Sequence, residues 1–148
     1  MRIACLLMGL VALPALLAAE TDEPSLRVSE LVIASDVDAE SRSPLGIGSE
    51  FPSDLYRVFC YTRITGADVP TRISHVWYHR GETKARVDLP VDSADWRTWS
   101  SKRLLPGWRG DWQVRILDED GLVLDRIDFR VVHPDSLTPM ADEEGARE

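Results

Sequence analysis

Apolar and polar residues alternate along most of the chain, and this period of two is typical of half-buried β-strands. No run with the period of an amphipathic helix extends beyond about two turns. Proline and glycine interrupt the alternating runs, for example at Pro70, Pro90 and Pro106. The pattern predicts about seven strands, at Val28–Val37, Tyr56–Thr65, Thr71–His79, Thr83–Val91, Asp95–Leu104, Asp111–Leu117 and Leu122–Val132.

Alternate residues of a strand share one face of the sheet, so the apolar set in each strand marks the side that faces the core. Trp77 and Trp112 fall on the apolar side of their strands, and we expect both to be buried. Asp118–Gly121 predicts a hairpin turn, because glycine accepts the positive φ that such a turn requires. The other expected core residues are Val58, Cys60, Thr62, Ile64, Ala85, Val87, Leu89, Val114, Ile116, Ile127, Phe129 and Val131.

Short strands separated by turns predict an all-β fold, an antiparallel immunoglobulin-like β-sandwich. Cys60 precedes Trp77 as the second-strand cysteine of an immunoglobulin domain precedes the third-strand tryptophan. Trp112 and Val114 stand where the second cysteine is expected, and no tyrosine corner is visible. The comparison therefore supplies an architecture and no function.

The N-terminus has the pattern of a signal peptide: Arg2, an apolar run from Ile3 to Ala19, and then acidic residues. An uncleaved membrane anchor is the alternative, although a spanning helix needs about 20 apolar residues. Removal of residues 1–19 predicts a periplasmic or secreted protein without a membrane span. It also leaves Cys60 as the only cysteine, which excludes an intramolecular disulfide. We expect a buried, inert thiol, with a reactive thiol or an intermolecular disulfide as alternatives.

Composition predicts the remaining organisation of the chain. Residues 20–27 form a linker, 28–133 the sandwich domain, and 134–148 an acidic, disordered tail, because its few large apolar residues cannot build a core. The connection from Asp38 to Asp54 is long and rich in glycine and proline. A loop of that length is either mobile or functional, and its composition favours a mobile one.

Charge and motif content exclude several functions. The chain has 25 acidic and 17 basic side chains, a net charge of -8, which argues against nucleic acid as a partner. His75 and His79 lie on one strand face about 13 Å apart, too far to share a metal ion. We expect His75 to hydrogen-bond beside Trp77 and His79 to face the turn at Gly81. With no nucleophile elbow and no phosphate-binding or dinucleotide loop, we expect no catalytic residue, cofactor or metal.

All five tryptophans lie between positions 77 and 112, and the segments around them carry a family resemblance. The sequence His75-Val-Trp-Tyr-His79 and the sequence Trp96-Arg-Thr-Trp-Ser-Ser-Lys102 are followed by Gly110–Val114 and later by Gly121, Leu124 and Phe129. Over about residues 56–132 the chain resembles the bacterial family known as domain of unknown function 2914. The resemblance implies a small β-rich domain of envelope or membrane-associated proteins, with no established activity.

One basic segment, residues 95–115, stands out in this acidic chain because it holds five basic and two acidic side chains. Trp96 and Trp99 differ by three positions, so one should face the core and the other the solvent. An exposed tryptophan among arginines suits a sugar ring or a protein partner, whereas cation–π packing within the fold is the structural alternative. We predict an exported, non-catalytic module that binds a protein or anionic glycan of the bacterial envelope. An enzyme, such as a hydrolase with an unrecognised site, is the alternative; the predicted binding residues are Arg97, Trp99, Lys102, Arg103 and Arg109.

Overall fold

A computed structural model describes residues 26–137. The chain forms nine strands and one short 3-10 turn. The strands are β1 Arg27–Asp38, β2 Ser43–Ile47, β3 Glu50–Pro52, β4 Arg57–Thr65, β5 Thr71–His79, β6 Glu82–Val91, β7 Asp95–Arg103, β8 Gly110–Leu117 and β9 Val123–Val132, and the 3-10 turn is Pro134–Leu137.

The strands form two sheets that pack as a sandwich. Sheet A has the order β2-β1-β4-β7 and sheet B the order β3-β9-β8-β5-β6. Neighbouring strands are antiparallel except for β3 and β9, which are parallel. The predicted all-β sandwich is confirmed, with two more strands than the sequence pattern indicated.

The core lies between the sheets and contains most of the residues that the sequence pattern singled out, together with others such as Ile33, Phe51 and Ile73. Trp77 and Trp112 are buried, as predicted, and so are the four expected residues of β4, which include Cys60. The expected residues of β6, Ala85, Val87 and Leu89, are only half-buried. β6 is an edge strand with one neighbour, so its inner face is less completely covered.

The connection from Asp38 to Asp54 is not a mobile loop, and that prediction was wrong. It contains β2, which pairs with β1, and β3, which pairs with β9. Gly46 has a φ of +63°, and a Cβ there would lie 2.1 Å from the Ser35 side-chain oxygen. Glycine is therefore required for a strand in this position. Its presence, with the nearby prolines, concealed two short strands, of which β3 has a partner, β9, that is distant in sequence.

The segments at the termini lie largely outside the described residues. This holds for the predicted signal peptide, for most of the predicted linker and for residues 138–148 of the predicted tail. Where the tail was expected to begin, Pro134–Leu137 form a 3-10 turn. Within residues 26–137, no helix is long and apolar enough to cross a membrane.

The strand pairing places six of the loops at the two ends of the sandwich. Arg57 pairs with Arg103 at one end of sheet A, and His79 pairs with Trp112 and Gly110 with Val131 at one end of sheet B. The short connection 104–109 joins Arg103 to Gly110, so these ends of the two sheets lie together. The C-terminal end of β9 therefore lies at the end that carries Arg57 and Arg103. The loops 53–56, 80–81 and 104–109 therefore lie together there. The loops 66–70, 92–94 and 118–122 lie at the opposite end.

Candidate functional site

The predicted binding residues come from one edge strand and the loop after it, but they do not form a single patch. Arg97 and Trp99 lie on the outer face of β7, opposite Arg63 and Tyr61 of β4. Lys102 and Arg103 end the strand, and Arg109 lies in the following loop. Arg97 and Arg103 are six residues apart, about 20 Å along a strand. The structure separates them into a face group and an end group.

The face group is covered by the hairpin that joins β1 and β2. The Arg42 guanidinium of this hairpin lies 5.1 Å from the centre of the Trp96 ring and 5.7 Å from that of Trp99, and it donates to the carbonyl of Arg97. The Tyr61 hydroxyl donates to the carbonyl of Arg42 at 3.1 Å. Trp99 stacks on Tyr61 and is half-buried, so the expectation of an exposed tryptophan is not met. The cause is the hairpin, which was expected to be a loop.

The end group surrounds an aromatic ring that sequence analysis did not select. Tyr56 is 61% exposed, and its ring lies between the guanidinium groups of Arg57 at 5.7 Å and Arg103 at 5.2 Å. The backbone N–H of Leu104 donates to the Tyr56 carbonyl at 3.1 Å, which fixes the loop against the end of β7. Arg57 also donates to the Ser101 hydroxyl at 2.6 Å. Tyr56 is therefore held between two cations at the end of sheet A.

A second ring, Trp108, connects this end to the core. The ammonium groups of Lys102 and Lys84 lie 4.9 Å and 5.5 Å from its centre, and they come from different sheets. Trp112 packs against Trp108 at 5.7 Å and donates to its carbonyl at 3.0 Å. His79 stacks on Trp112 at 4.7 Å rather than facing the turn at Gly81, so that expectation was wrong.

We call this surface the basic end; its residues are Tyr56, Arg57, Lys102, Arg103, Trp108 and Arg109. Arg57 and Arg103 are direct cross-strand partners, and like charges in that position destabilise a sheet. Partial burial, followed by the charge of Arg57, lowers the pKa of Lys102. Among the described residues, no carboxylate lies within 4.0 Å of these four cations, whereas ion pairs form elsewhere, as between Arg63 and Asp95.

The buried polar groups of the core are satisfied internally. Thr62 donates to the carbonyl of Thr98, so it accepts from Nε2 of His75, and the Ser100 hydroxyl bonds to Nδ1 at 2.8 Å. Burial lowers the pKa of His75 to about 3, and it raises the pKa of the Cys60 thiol. The expected hydrogen-bonded His75 and buried thiol are both confirmed. The hydrogen bonds of His75 to Thr62 and Ser100 join sheet B to sheet A.

A groove with a volume of about 520 Å³ lies on the outer side of β5 and β6. Inside it the Ser74 hydroxyl donates to Asp88 at 2.6 Å and accepts from Arg86 at 2.9 Å. Hydrogen bonds from Ser74 and Arg86 lower the pKa of Asp88. No histidine or cysteine is among the described residues that line the groove. Within residues 26–137, no three His, Cys, Asp or Glu side chains are grouped to hold a metal.

Residues 70–131 match the family described as "Protein of unknown function (DUF2914)", which confirms the predicted family resemblance over that part of the chain. The match spans β5 to β8 and nearly all of β9. Tyr56 and Arg57 lie outside it, although they complete the basic end. No curated protein matches the chain.

Three members of the site were not predicted from the sequence: Tyr56, Arg57 and Trp108. Tyr56 and Arg57 precede the basic segment by about 40 residues, and only the pairing of β4 with β7 brings them together. A signal did exist for Trp108, because its neighbours Pro106 and Gly107 place it in a loop, where an aromatic residue has less cause to be buried.

Proposed function

We propose that this chain is a non-catalytic binding module of the bacterial cell envelope, and that its basic end binds an anionic glycan. The observation that carries the proposal is the direct pairing of Arg57 with Arg103, beside Lys102, with no carboxylate of the described residues within 4.0 Å of these cations. Such an arrangement costs stability within the fold. An external anion would offset that cost, since guanidinium groups hydrogen-bond carboxylates and phosphates in paired geometry.

The aromatic rings favour a sugar over a simple anion. Tyr56 offers an exposed ring between two cations, and Trp108 offers a half-buried ring braced by Trp112. A flat aromatic face packs on the apolar face of a sugar, while adjacent cations bind its acidic substituents. This combination matches a polymer of carboxylated or phosphorylated sugars.

Export is a separate part of the proposal and rests on the apolar run from Ile3 to Ala19. Expression in a bacterium should give a mature protein that begins near Glu20. N-terminal sequencing of the protein recovered from the periplasm or medium tests this. An intact Met1 on soluble protein would contradict it.

The binding experiment uses polygalacturonate, a polymer of a carboxylated sugar, with dextran as the uncharged control. The variant R57Q/K102Q/R103Q/R109Q removes four cations of the basic end and should lower the affinity at least tenfold, with binding by the native chain falling as salt is added. The matched control R27Q/R72Q/R97Q/R126Q removes four exposed arginines that form no ion pair in the described chain. It should bind as the native chain does.

The outcomes separate the proposal from its alternatives. Equal loss in both variants would mean that only net charge matters, and it would overturn the assignment of the basic end. No binding of polygalacturonate, with capture of an envelope protein that the basic-end variant loses, would make a protein the ligand instead of a glycan. Tyr56→Ala should weaken polygalacturonate binding at unchanged stability, because its ring is exposed.

A further inference from the structure

We propose that two copies of this chain pair antiparallel through the free edges of their β6 strands, with Val87 of each copy on the two-fold axis. Sheet B of the two copies then becomes one sheet of ten strands, five from each copy. In the described chain β5 is the only strand beside β6, so the ten residues of β6 present a long edge. The dimer is independent of the proposed function, and only its consequence for glycan binding rests on it.

The inner face of β6 is incompletely covered in the single chain. Its three inward residues lie directly opposite residues of β5 that are fully buried, yet they are only half-buried themselves. The three are Ala85, Val87 and Leu89, opposite Trp77, His75 and Ile73. Because β5 covers one side of each, the open side faces the free edge. A strand added there would remove apolar surface from water.

Symmetry and charge select one register. Directly opposite residues of a continuous sheet share a face, so a two-fold axis must pass through a residue. An axis at Arg86 or at Asp88, which are both exposed, would place like charges opposite each other and destabilise the sheet. An axis at Val87 places Arg86 opposite Asp88 of the second copy, and it does so twice. The same axis places Ala85 opposite Leu89, so apolar residues also meet apolar residues.

The charged groups of this register are held in place at the edge. Asp88 uses one oxygen, Oδ1, to accept from the Ser74 hydroxyl at 2.6 Å and from Nε of Arg86 at 3.2 Å. Arg86 also donates from Nη2 to Ser74 at 2.9 Å. The second oxygen of Asp88 can therefore accept from Nη1 of Arg86 of the second copy. Since the buried Ser74 already orders both side chains, their pairing across the axis costs less side-chain entropy.

Pro90 restricts the edge to this register. A proline in an edge strand directs its missing N–H away from the neighbouring strand, so we expect the backbone groups of the alternate residues Asp88 and Arg86 to face the free edge as well. With the axis at Val87 these residues exchange N–H and C=O bonds, about four in all. An axis at Leu89 would place Pro90 in these pairs and lose half of the bonds.

Sedimentation equilibrium of the purified protein tests the dimer. At a chain concentration of about 100 μM the protein should have twice the mass of one chain, as mass action requires for a micromolar dissociation constant. Arg86→Glu and Asp88→Arg should each raise that constant at least about tenfold, because each places like charges opposite each other. The combined variant R86E/D88R restores opposite charges and should dimerise as the native chain does.

Val87→Cys tests the register without changing a charge. Residues opposite each other in such a pair have Cα atoms about 4.5 Å apart, within reach of a disulfide. Mild oxidation should therefore link two copies of this variant. The control Ala85→Cys should not link, because the two positions lie about 13 Å apart along the strands. Both variants carry Cys5→Ser, and Cys60 is buried.

The dimer would give the proposed function two sites that face opposite ways. Glu82 begins β6 at the basic end and Val91 ends it at the opposite end, so antiparallel pairing places the two basic ends at opposite poles. The native chain should then cross-link polygalacturonate into particles that scatter light. Arg86→Glu should bind the polymer without cross-linking it.

The dimer and the proposed function fail in different ways. The mass of a single chain at about 100 μM would overturn the dimer. A dimer that survives both charge reversals, or equal linking of Val87→Cys and Ala85→Cys, would overturn the β6 contact; the cysteine variants decide alone if a charge variant does not fold. A dimer that does not bind polygalacturonate would refute the proposed function and leave the β6 contact standing.

Discussion

At the end formed by the loops 66–70, 92–94 and 118–122, the carboxylate of Asp118 is hydrogen-bonded within the fold. At the opposite end, the four cations of the basic end have no carboxylate within 4.0 Å among the described residues. One carboxylate oxygen of Asp118 accepts backbone N–H groups of Asp120 at 3.0 Å and Leu122 at 2.8 Å. These bonds close the turn in which Gly121 has a φ of +87°. At the basic end, Arg103 makes no such bond and lies over Tyr56. The two ends carry charges of opposite sign. They also differ in whether their charged side chains form hydrogen bonds that stabilise the fold.

The difference shows which charged residues to consider functional. Asp118 fulfils the usual role of aspartate in a turn, so its charge needs no external partner. Arg57 and Arg103 are cross-strand partners of like charge, which lowers the stability of the sheet. An acidic residue in one of the two positions would stabilise it instead. The basic end, whose cations form no ion pair within the described chain, is therefore the better candidate for binding.

Replacing the ring beneath the basic end should have the largest effect on stability. Trp112→Ala should lower the free energy of unfolding by about 3–5 kcal/mol, because a buried aromatic group and its contacts with Phe129 and His79 are lost. Leu122→Ala at the opposite end is the control and should cost less than about 0.5 kcal/mol, since Leu122 is 56% exposed. Chemical denaturation measures both. A loss below about 1 kcal/mol for Trp112→Ala would contradict the packing described here.

The sequence pattern predicted the strands that alternate and missed those that do not. β5 runs from Thr71 to His79, as predicted, because its alternation is complete and turn residues bound it. β2 and β3 are short and lie beside glycine and proline. Their strand conformation depends on pairing with β1 and β9, which no local pattern reports.

The candidate site was predicted in part for the same reason. Lys102, Arg103 and Arg109 lie near one another in sequence, so a local excess of charge revealed them. The place of Tyr56 beside Arg103 follows from strand register, which sequence composition does not contain. The burial of Trp99 was missed because it depends on the hairpin that carries Arg42.

Lowering the pH should destabilise the protein through His75, which is buried between the two ends of the sandwich. The pKa of His75 is about 3 in the folded chain and near 6.5 when unfolded, so only the unfolded state gains a proton as the pH falls from 6.5. The free energy of unfolding should drop by about 2 kcal/mol between pH 7 and pH 5. The carboxylates whose pKa is lowered, such as Asp88 and Asp95, lose their contribution only at lower pH.

Denaturation across this pH range measures the slope, with two variants as comparisons. His75→Gln should flatten the slope, because the titrating group is removed while hydrogen bonding to Thr62 and Ser100 remains feasible. His133→Gln is the control for loss of an exposed histidine. A native chain equally stable at pH 7 and pH 5 would show that His75 is not neutral and buried.

At the acidic end, a single carboxylate should account for most of the structural contribution. Asp118→Ala should lower the free energy of unfolding by about 1–2 kcal/mol, because two backbone N–H groups lose their acceptor. Glu119→Ala, one residue further along, should change it by less than about 0.5 kcal/mol. Thermal unfolding of the two variants provides the comparison. Equal losses would mean that the end responds to charge and not to the hydrogen bonds of the turn.

The substitution with the smallest expected effect on stability, Arg103→Glu, tests whether the cations of the basic end lower the stability of the fold. Arg103→Glu places an acid opposite Arg57, and the new cross-strand pair should raise the free energy of unfolding by about 0.2–1 kcal/mol, where most surface substitutions lower it. The same variant should lose polygalacturonate binding, because two charges of the basic end are changed in sign or neutralised. Glu119→Lys, the reversed control, should leave binding unchanged. A more stable chain that no longer binds would show that the basic end sacrifices stability for ligand affinity, whereas a less stable chain would show that Arg103 is structural.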